Sequence, residues 1–263
     1  MVIPSPWDDF RAFWERLPDC RTLSYELRGE AFTAFVQPPR PGFVYPCTPD
    51  DVFHLLSLLP APDIHDLRAV IFRQPTKKQV ILSSVWGRLG YSTDVGPYHG
   101  PAIVIEAMPL GRSVRWPRSL TLDDQRELAR LEEDGHRITQ DKRGFLLAPS
   151  STSLRNGVLF RTVLHEVGHW VDYLEKVERP GGEAENFDEL EDRYRSRPAR
   201  EREEFAHAYA ERMARQLRDA RDIPFAPLGM DEVRLGRLDL AATAFAAGHA
   251  PESTSSEPPP GTC

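Results

Sequence analysis

The sequence is poor in cysteine: Cys20, Cys47 and Cys263 are the only three in 263 residues. An odd, sparse set excludes a disulfide framework. No Cys-x-x-Cys pair occurs, so a thiolate zinc site is excluded as well. No apolar run reaches the roughly 20 residues a membrane-spanning helix needs, so no membrane partner is expected. The opening residues, Met1-Val2-Ile3-Pro4-Ser5-Pro6-Trp7-Asp8-Asp9, lack a basic stretch followed by an apolar one, the pattern of a secretory signal. Positive charge is not in excess either. The net charge is -7, and no basic footprint for nucleic acid is visible. There is no internal repeat. These absences predict a cytoplasmic chain, although export without a classical signal would leave the same pattern. They leave the oligomeric state open.

Hydrophobic residues make up 40% and charged residues 28%, as in ordinary globular proteins. The length suffices for one large domain or two small ones. Ser5 with Pro6 predicts a short helix to about Leu17. Thr22–Leu27 and Ala31–Val36 predict a hairpin turning at Arg28-Gly29-Glu30. The breaker cluster Gln37-Pro38-Pro39-Arg40-Pro41-Gly42 follows. Residues 1–62 therefore read as an N-terminal helix and hairpin element, separate or part of the same domain. Thr48-Pro49-Asp50-Asp51 predicts a capped helix to about Leu59. Leu67–Arg73, Gln79–Ser84 and Ala102–Ala107 are strand-like. Thr121-Leu122-Asp123-Asp124 opens a helix closed by Gly135. His136–Gln140 and Gly144–Ala148 suggest a second hairpin.

From about Ser153 to Lys176, Leu159, Val163, Val167, Trp170, Val171 and Leu174 recur at helical spacing. Arg179–Arg197, charged and holding Pro180-Gly181-Gly182, reads as a loop. A long helix is expected from Ser196 and Pro198 to near Arg218, and a last one over Asp231–Ala247. Residues 63–248 would form the main domain, and residues 249–263, rich in proline and serine, a disordered tail. Strands preceding helices without regular alternation predict an α+β fold.

The helix holds His165-Glu166-Val167-Gly168-His169. Residues four apart on a helix stand one turn apart on one face, so both imidazoles can meet one metal ion. Zn²⁺ held by two histidines needs a third protein ligand and an open position for water. Glu166 projects about 100° away from His165. There it can take a proton from a water that the metal activates and hand it to a leaving amine. Gly168 sits where glycine costs roughly 1 kcal/mol against alanine. A close approach by another backbone would explain it. Asp172 shares the histidine face and could hydrogen-bond a ligand histidine, or be an ordinary surface aspartate. Metzincins need Gly and His where this chain has Asp172 and Glu175, which removes that scheme. The third ligand is expected from the next helix, with Glu203 first, then Glu204 and Glu201. His207 could ligate but is favoured for an outer-shell role. Each of these acids could instead be a solvated charge.

The pairing of His-Glu-x-x-His with a downstream helical glutamate resembles the gluzincin metallopeptidases. It is most similar to the group that includes the peptidase domain of anthrax-toxin lethal factor. The segments that carry the likeness are His165-Glu166-Val167-Gly168-His169-Trp170-Val171-Asp172 and Glu203-Glu204-Phe205-Ala206-His207-Ala208-Tyr209, within the stretch from Val158 to Met213. The resemblance implies His165, His169 and Glu203 as zinc ligands and Glu166 as general base. His207 stands where that group has an outer-shell glutamate. The group also uses a tyrosine a few residues before the third ligand to steady the oxyanion. Tyr194 is nearby here, two residues further upstream than the spacing of that group, and its competing reading is a surface loop residue. The implied fold is zincin-like: a small mixed sheet with an edge strand, packed on the motif helix and a second ligand-bearing helix. His136–Gln140 is the candidate for the strand that would pair with an extended substrate. The expected activity is peptide-bond hydrolysis on a protein or peptide substrate. A zinc hydrolase of non-peptide amides or esters, or a non-catalytic zinc-binding regulator, are the alternatives.

Overall fold

In a computed structural model, residues 12–82, 85–109, 111, 113–181 and 186–246 are described. The expected tail at 249–263 and most of the expected first helix lie outside them. The remainder of that helix, residues 12–17, contains a turn instead.

The predicted N-terminal hairpin forms as β1 (Arg21–Leu27) and β2 (Glu30–Val36), with Gly29 at a φ of +79° in the turn. It is built into a larger sheet. With β4 (Ala69–Arg73), β5 (Gly87–Val95) and β6 (Tyr98–Glu106) it makes five strands in the order β1-β2-β4-β6-β5. The inner pairs β2–β4 and β4–β6 are parallel, and the outer pairs are antiparallel. The architecture is thus α+β with a mixed sheet. All five residues of β4 are buried, as a central strand covered on both faces requires. Val70 and Phe72 point into the main core, while Ala69 and Ile71 join Phe35, Ala102 and Val104 in a smaller cluster covered by Trp14 and Leu17. That is the period-two alternation of a strand. A small sheet, β3 (Phe43–Val44) with β7 (Met108–Pro109), closes one end.

The helix α1 (Pro49–Leu58) starts on a full capping box: Thr48 Oγ1 accepts from the Asp51 N–H and Asp51 Oδ2 from the Thr48 N–H, both at 3.1 Å. Asp51 is wholly buried and paired with Arg155 at 2.8 Å, so the cap also ties α1 to the motif-bearing helix.

Gln79–Ser84 is not a strand. Lys77–Leu82 forms the helix α2, and Ser83 and Ser84 lie outside the described residues. Thr76 caps it. The Gln79 N–H donates to Thr76 Oγ1 at 3.3 Å, and Gln79 Oε1 accepts from the Thr76 N–H at 2.9 Å. This Thr-x-x-Gln box was visible in the sequence and outweighs the β-branched run behind it.

A three-stranded sheet, in the order β8-β10-β9, lies apart from the large one: β8 (Val114–Trp116), β9 (Arg137–Asp141) and β10 (Gly144–Ala148). Between β8 and β9 runs α3 (Leu122–Glu133), capped by Thr121 as expected.

The motif lies in one helical run from Ser151 to Gly181: α4 (Ser151–Gly157), a wide π turn at Val158–Val163, α5 (Leu164–Tyr173), another at Leu174–Glu178, and α6 (Arg179–Gly181). Such π turns are frequent beside functional sites.

The expected loop at Arg179–Arg197 is largely helical: α7 spans Phe187–Ser196. Phe187, Leu190 and Tyr194 return at helical spacing, and Arg195 pairs with Glu191 one turn earlier at 2.8 Å. The long helix α8 spans Ala199–Asp219. The last helix is shorter than expected. α9 runs only from Glu232 to Leu238 and stops at Asp239, which turns left-handed at φ 54°. Residues 242–244 then form a single 3₁₀ turn. No helix among the described residues is long and apolar enough to cross a membrane.

Candidate metal centre

Gly168 fixes how the two site-bearing helices meet. A Cβ at this position would stand 2.9 Å from both the Cα and the O of Ala206, and 3.1 Å from Tyr209 Cβ. With only hydrogen there, α8 lies directly against α5. The contact aligns Glu203, one turn before Ala206–His207, with the histidine face.

Of the three candidate glutamates, only Glu203 meets the histidines. Its Oε2 lies 3.2 Å from His165 Nε2 and its Oε1 3.5 Å from His169 Nε2. Glu204 turns to Arg200 at 2.7 Å, an exposed pair along the helix, and Glu201 to Arg197, just ahead of the helix, at 3.4 Å. The imidazole rings of His165 and His169 stand 4.6 Å apart, nearly perpendicular. Hydrogen bonds from the two histidines hold the Glu203 carboxyl well below its usual range.

The set suits zinc. Two imidazole nitrogens and a carboxylate are a known ligand chemistry for this ion, whose bonds of roughly 2 Å set tetrahedral donors a little over 3 Å apart. The three donor atoms lie within 4.8 Å of one another. His165 Nδ1 and His169 Nδ1 are buried without hydrogen-bond partners.

Glu166 is 7% exposed and leaves the histidine face on its own side, against Gly87 and Leu89 of β5. Burial raises its pKa, while the neighbouring His165 and His169 oppose the rise. A carboxylate poised nearer neutrality suits proton transfer.

Asp172 does not bond a ligand histidine. It is fully buried, accepts on Oδ2 a hydrogen bond from Arg197 Nη1 at 2.8 Å, and leaves Oδ1 without a partner. Arg197 lies just ahead of α8 and outcompetes the ring nitrogens because its charge neutralises a buried carboxylate. His207 presses its ring against that of His165, with centroids 4.4 Å apart. It is no part of the three-donor group. Tyr194 is not a surface loop residue. It is 2% exposed on α7, and its hydroxyl meets that of Tyr91 at 3.1 Å. Both tyrosines line the cleft that also contains His165, Glu166, His169 and Glu203.

The strand beside this cleft is β5, not His136–Gln140. β9 pairs only with β10, in the separate sheet, and none of its residues lines the cleft. β5 is the last strand of the large sheet, bonded to β6 on one side only. The Leu89 N–H, on its other side, faces the Glu166 carboxylate. Sequence reading overlooked β5 because Gly87 and Gly90 interrupt it and its register shifts between Gly90 and Thr93.

No family model, curated protein or solved structure matches the chain.

Proposed function

We propose that this chain is a zinc-dependent peptidase with a zincin-like catalytic domain. The observation that carries the reading is the convergence of His165, His169 and Glu203 from two helices, with the buried Glu166 beside them. The likeness of the two motif segments to the gluzincins agrees with it. His165, His169 and Glu203 would hold the ion. What zinc supplies when bound is acidification of water and polarisation of the scissile carbonyl.

The chain's own groups do the rest. Glu166 takes the proton from the attacking water on its carboxylate and passes it to the departing nitrogen. The outer edge of β5 offers the main-chain donors and acceptors that Glu166 does not hold to an extended peptide, and strand addition favours a peptide substrate over a small amide or ester. Tyr91 and Tyr194 are the hydroxyls available to a developing oxyanion.

The test has two parts. Purified protein should contain one zinc per chain, lost in His165→Ala. Glu166→Gln should keep the zinc and lose at least about 100-fold in kcat, the usual scale for a general base. A Gln variant as active as the parent rejects the base role. Full zinc retention in His165→Ala rejects the site.

A further inference from the structure

A second concavity opens beside the metal cleft, between the large and the three-stranded sheets. Its volume is about 440 Å³, within the range of roughly 300–1,000 Å³ usual for ligand pockets. Trp86, Met108, Trp116, Leu131 and Leu147 are among the residues that line it. Val85 and Val114, 39% and 51% exposed, line it as well. Their exposed faces extend the apolar lining to the mouth of the cavity.

The cavity is not isolated from the cleft. Val85 and Arg88 line both. Between them, Trp86 faces the cavity while Gly87 lies against Glu166, where an added Cβ would come within 3.8 Å of Glu166 Cγ. A peptide lying along β5 at Glu166 therefore passes the cavity opening.

We infer that this cavity receives a large apolar or aromatic side chain of the substrate, close to the scissile bond, which rests on the peptidase reading above. Charge is disfavoured there. Most of the lining is apolar, and its acids are already paired, Glu106 with Arg88 at 3.2 Å and Glu127 with Arg161 at 2.5 Å, so an incoming charged group meets no free partner. Arg73 holds the same Glu106 carboxylate at 2.8 Å, so Glu106 is not free to receive a cationic side chain. Val114→Trp, at the exposed strand β8, and Leu147→Trp, in the wall, would fill the space.

The experiment uses the zinc-loaded full chain and two readouts. In the first, toluene binding is followed by ligand-observed NMR. Wild type should bind it saturably and both variants should lose most of that binding. The second compares peptides differing at one position next to the scissile bond. Wild type should prefer Phe or Leu over Lys by at least about tenfold in kcat/KM, as apolar pockets discriminate. The variants should lose activity on the Phe peptide by a similar factor and keep that on an Ala peptide within about threefold.

Absence of toluene binding to wild type overturns the pocket itself, whether or not peptides are cleaved. Binding together with cleavage that ignores side-chain size, or prefers Lys, overturns the assignment to substrate. Binding with no cleavage of any peptide marks the failure of the peptidase reading, and the assignment falls with it.

Discussion

At the residue scale, burial without a partner sets the strongest expectations. Asp172 is wholly buried and its one charge partner is Arg197, which is itself 22% exposed. Arg197→Ala would leave a carboxylate in the core with no cation. Breaking such a pair from one side costs about 3–5 kcal/mol, and urea unfolding should register a loss of that order. Adding Asp172→Asn to Arg197→Ala should recover part of it, and a double variant no better than the single would show that packing, not charge, is lost. His136 makes a second case. It is 6% exposed, and burial, aided by the nearby Arg161 charge, pulls its pKa from 6.5 down to about 4. The folded state therefore prefers the neutral ring, while the unfolded chain takes up a proton first as pH falls. The stabilisation is complete above about pH 6.5 and is lost on descending to about pH 4, with a span on the order of 2–3 kcal/mol. His136→Phe should flatten the stability profile over that window alone. An unchanged slope would assign the acid sensitivity to other groups. Asp172 also marks a limit of sequence reading: spacing pointed it at the ligand histidines, but its partner came from 25 residues away, beyond any local pattern.

At the element scale, the packing of α5 on α8 decides whether a site exists. Gly168→Ala gains up to about 1 kcal/mol of helix propensity but drives a methyl into the backbone of Ala206 at 2.9 Å. Overpacking of a close contact costs about 1–3 kcal/mol, and here the neighbour is main chain, which yields least. A net loss of stability is expected, together with weaker zinc retention, since Glu203 moves with α8. Gly236, in α9, is the control: nothing lies within 4 Å of an added Cβ, so Gly236→Ala should stabilise by up to about 1 kcal/mol. Thermal melts of both variants, with zinc content measured alongside, check the pair. Equal gains in both would mean that α5 and α8 are not in close contact. The sequence anticipated this contact from a glycine placed inside a helix, and anticipated the capped helices α1 and α3 from Thr48 and Thr121. It did not reveal β5, whose glycines weaken strand propensity and whose place in the sheet depends on pairing with β6. Nor did it reveal α7, whose many charges and preceding glycines read as loop until its apolar stripe found the core.

At the scale of the whole molecule, the candidate metal centre brings together parts of the fold that lie apart in the sequence. His165 and His169 lie on a helical run that Asp51 and Arg155 tie to α1. Glu203 lies on α8, and Glu166 faces the edge of the five-stranded sheet. A cation bound by the first three residues binds the folded chain only, because the unfolded chain does not bring the ligands together. Folding and binding are then linked: free zinc at a thousand times its dissociation constant stabilises by about 4 kcal/mol. For a chain of this size that corresponds to a rise of roughly 10 °C in Tm. The rise should grow with the logarithm of zinc concentration and reverse with chelator. Glu203→Gln should retain the fold, since that side chain is half exposed, and should lose most of the zinc-dependent rise. Glu204→Gln should keep it in full, because that carboxylate pairs with Arg200 and faces away from the histidines. If both variants respond to zinc as the parent does, the ion binds elsewhere and the two helices meet for packing alone.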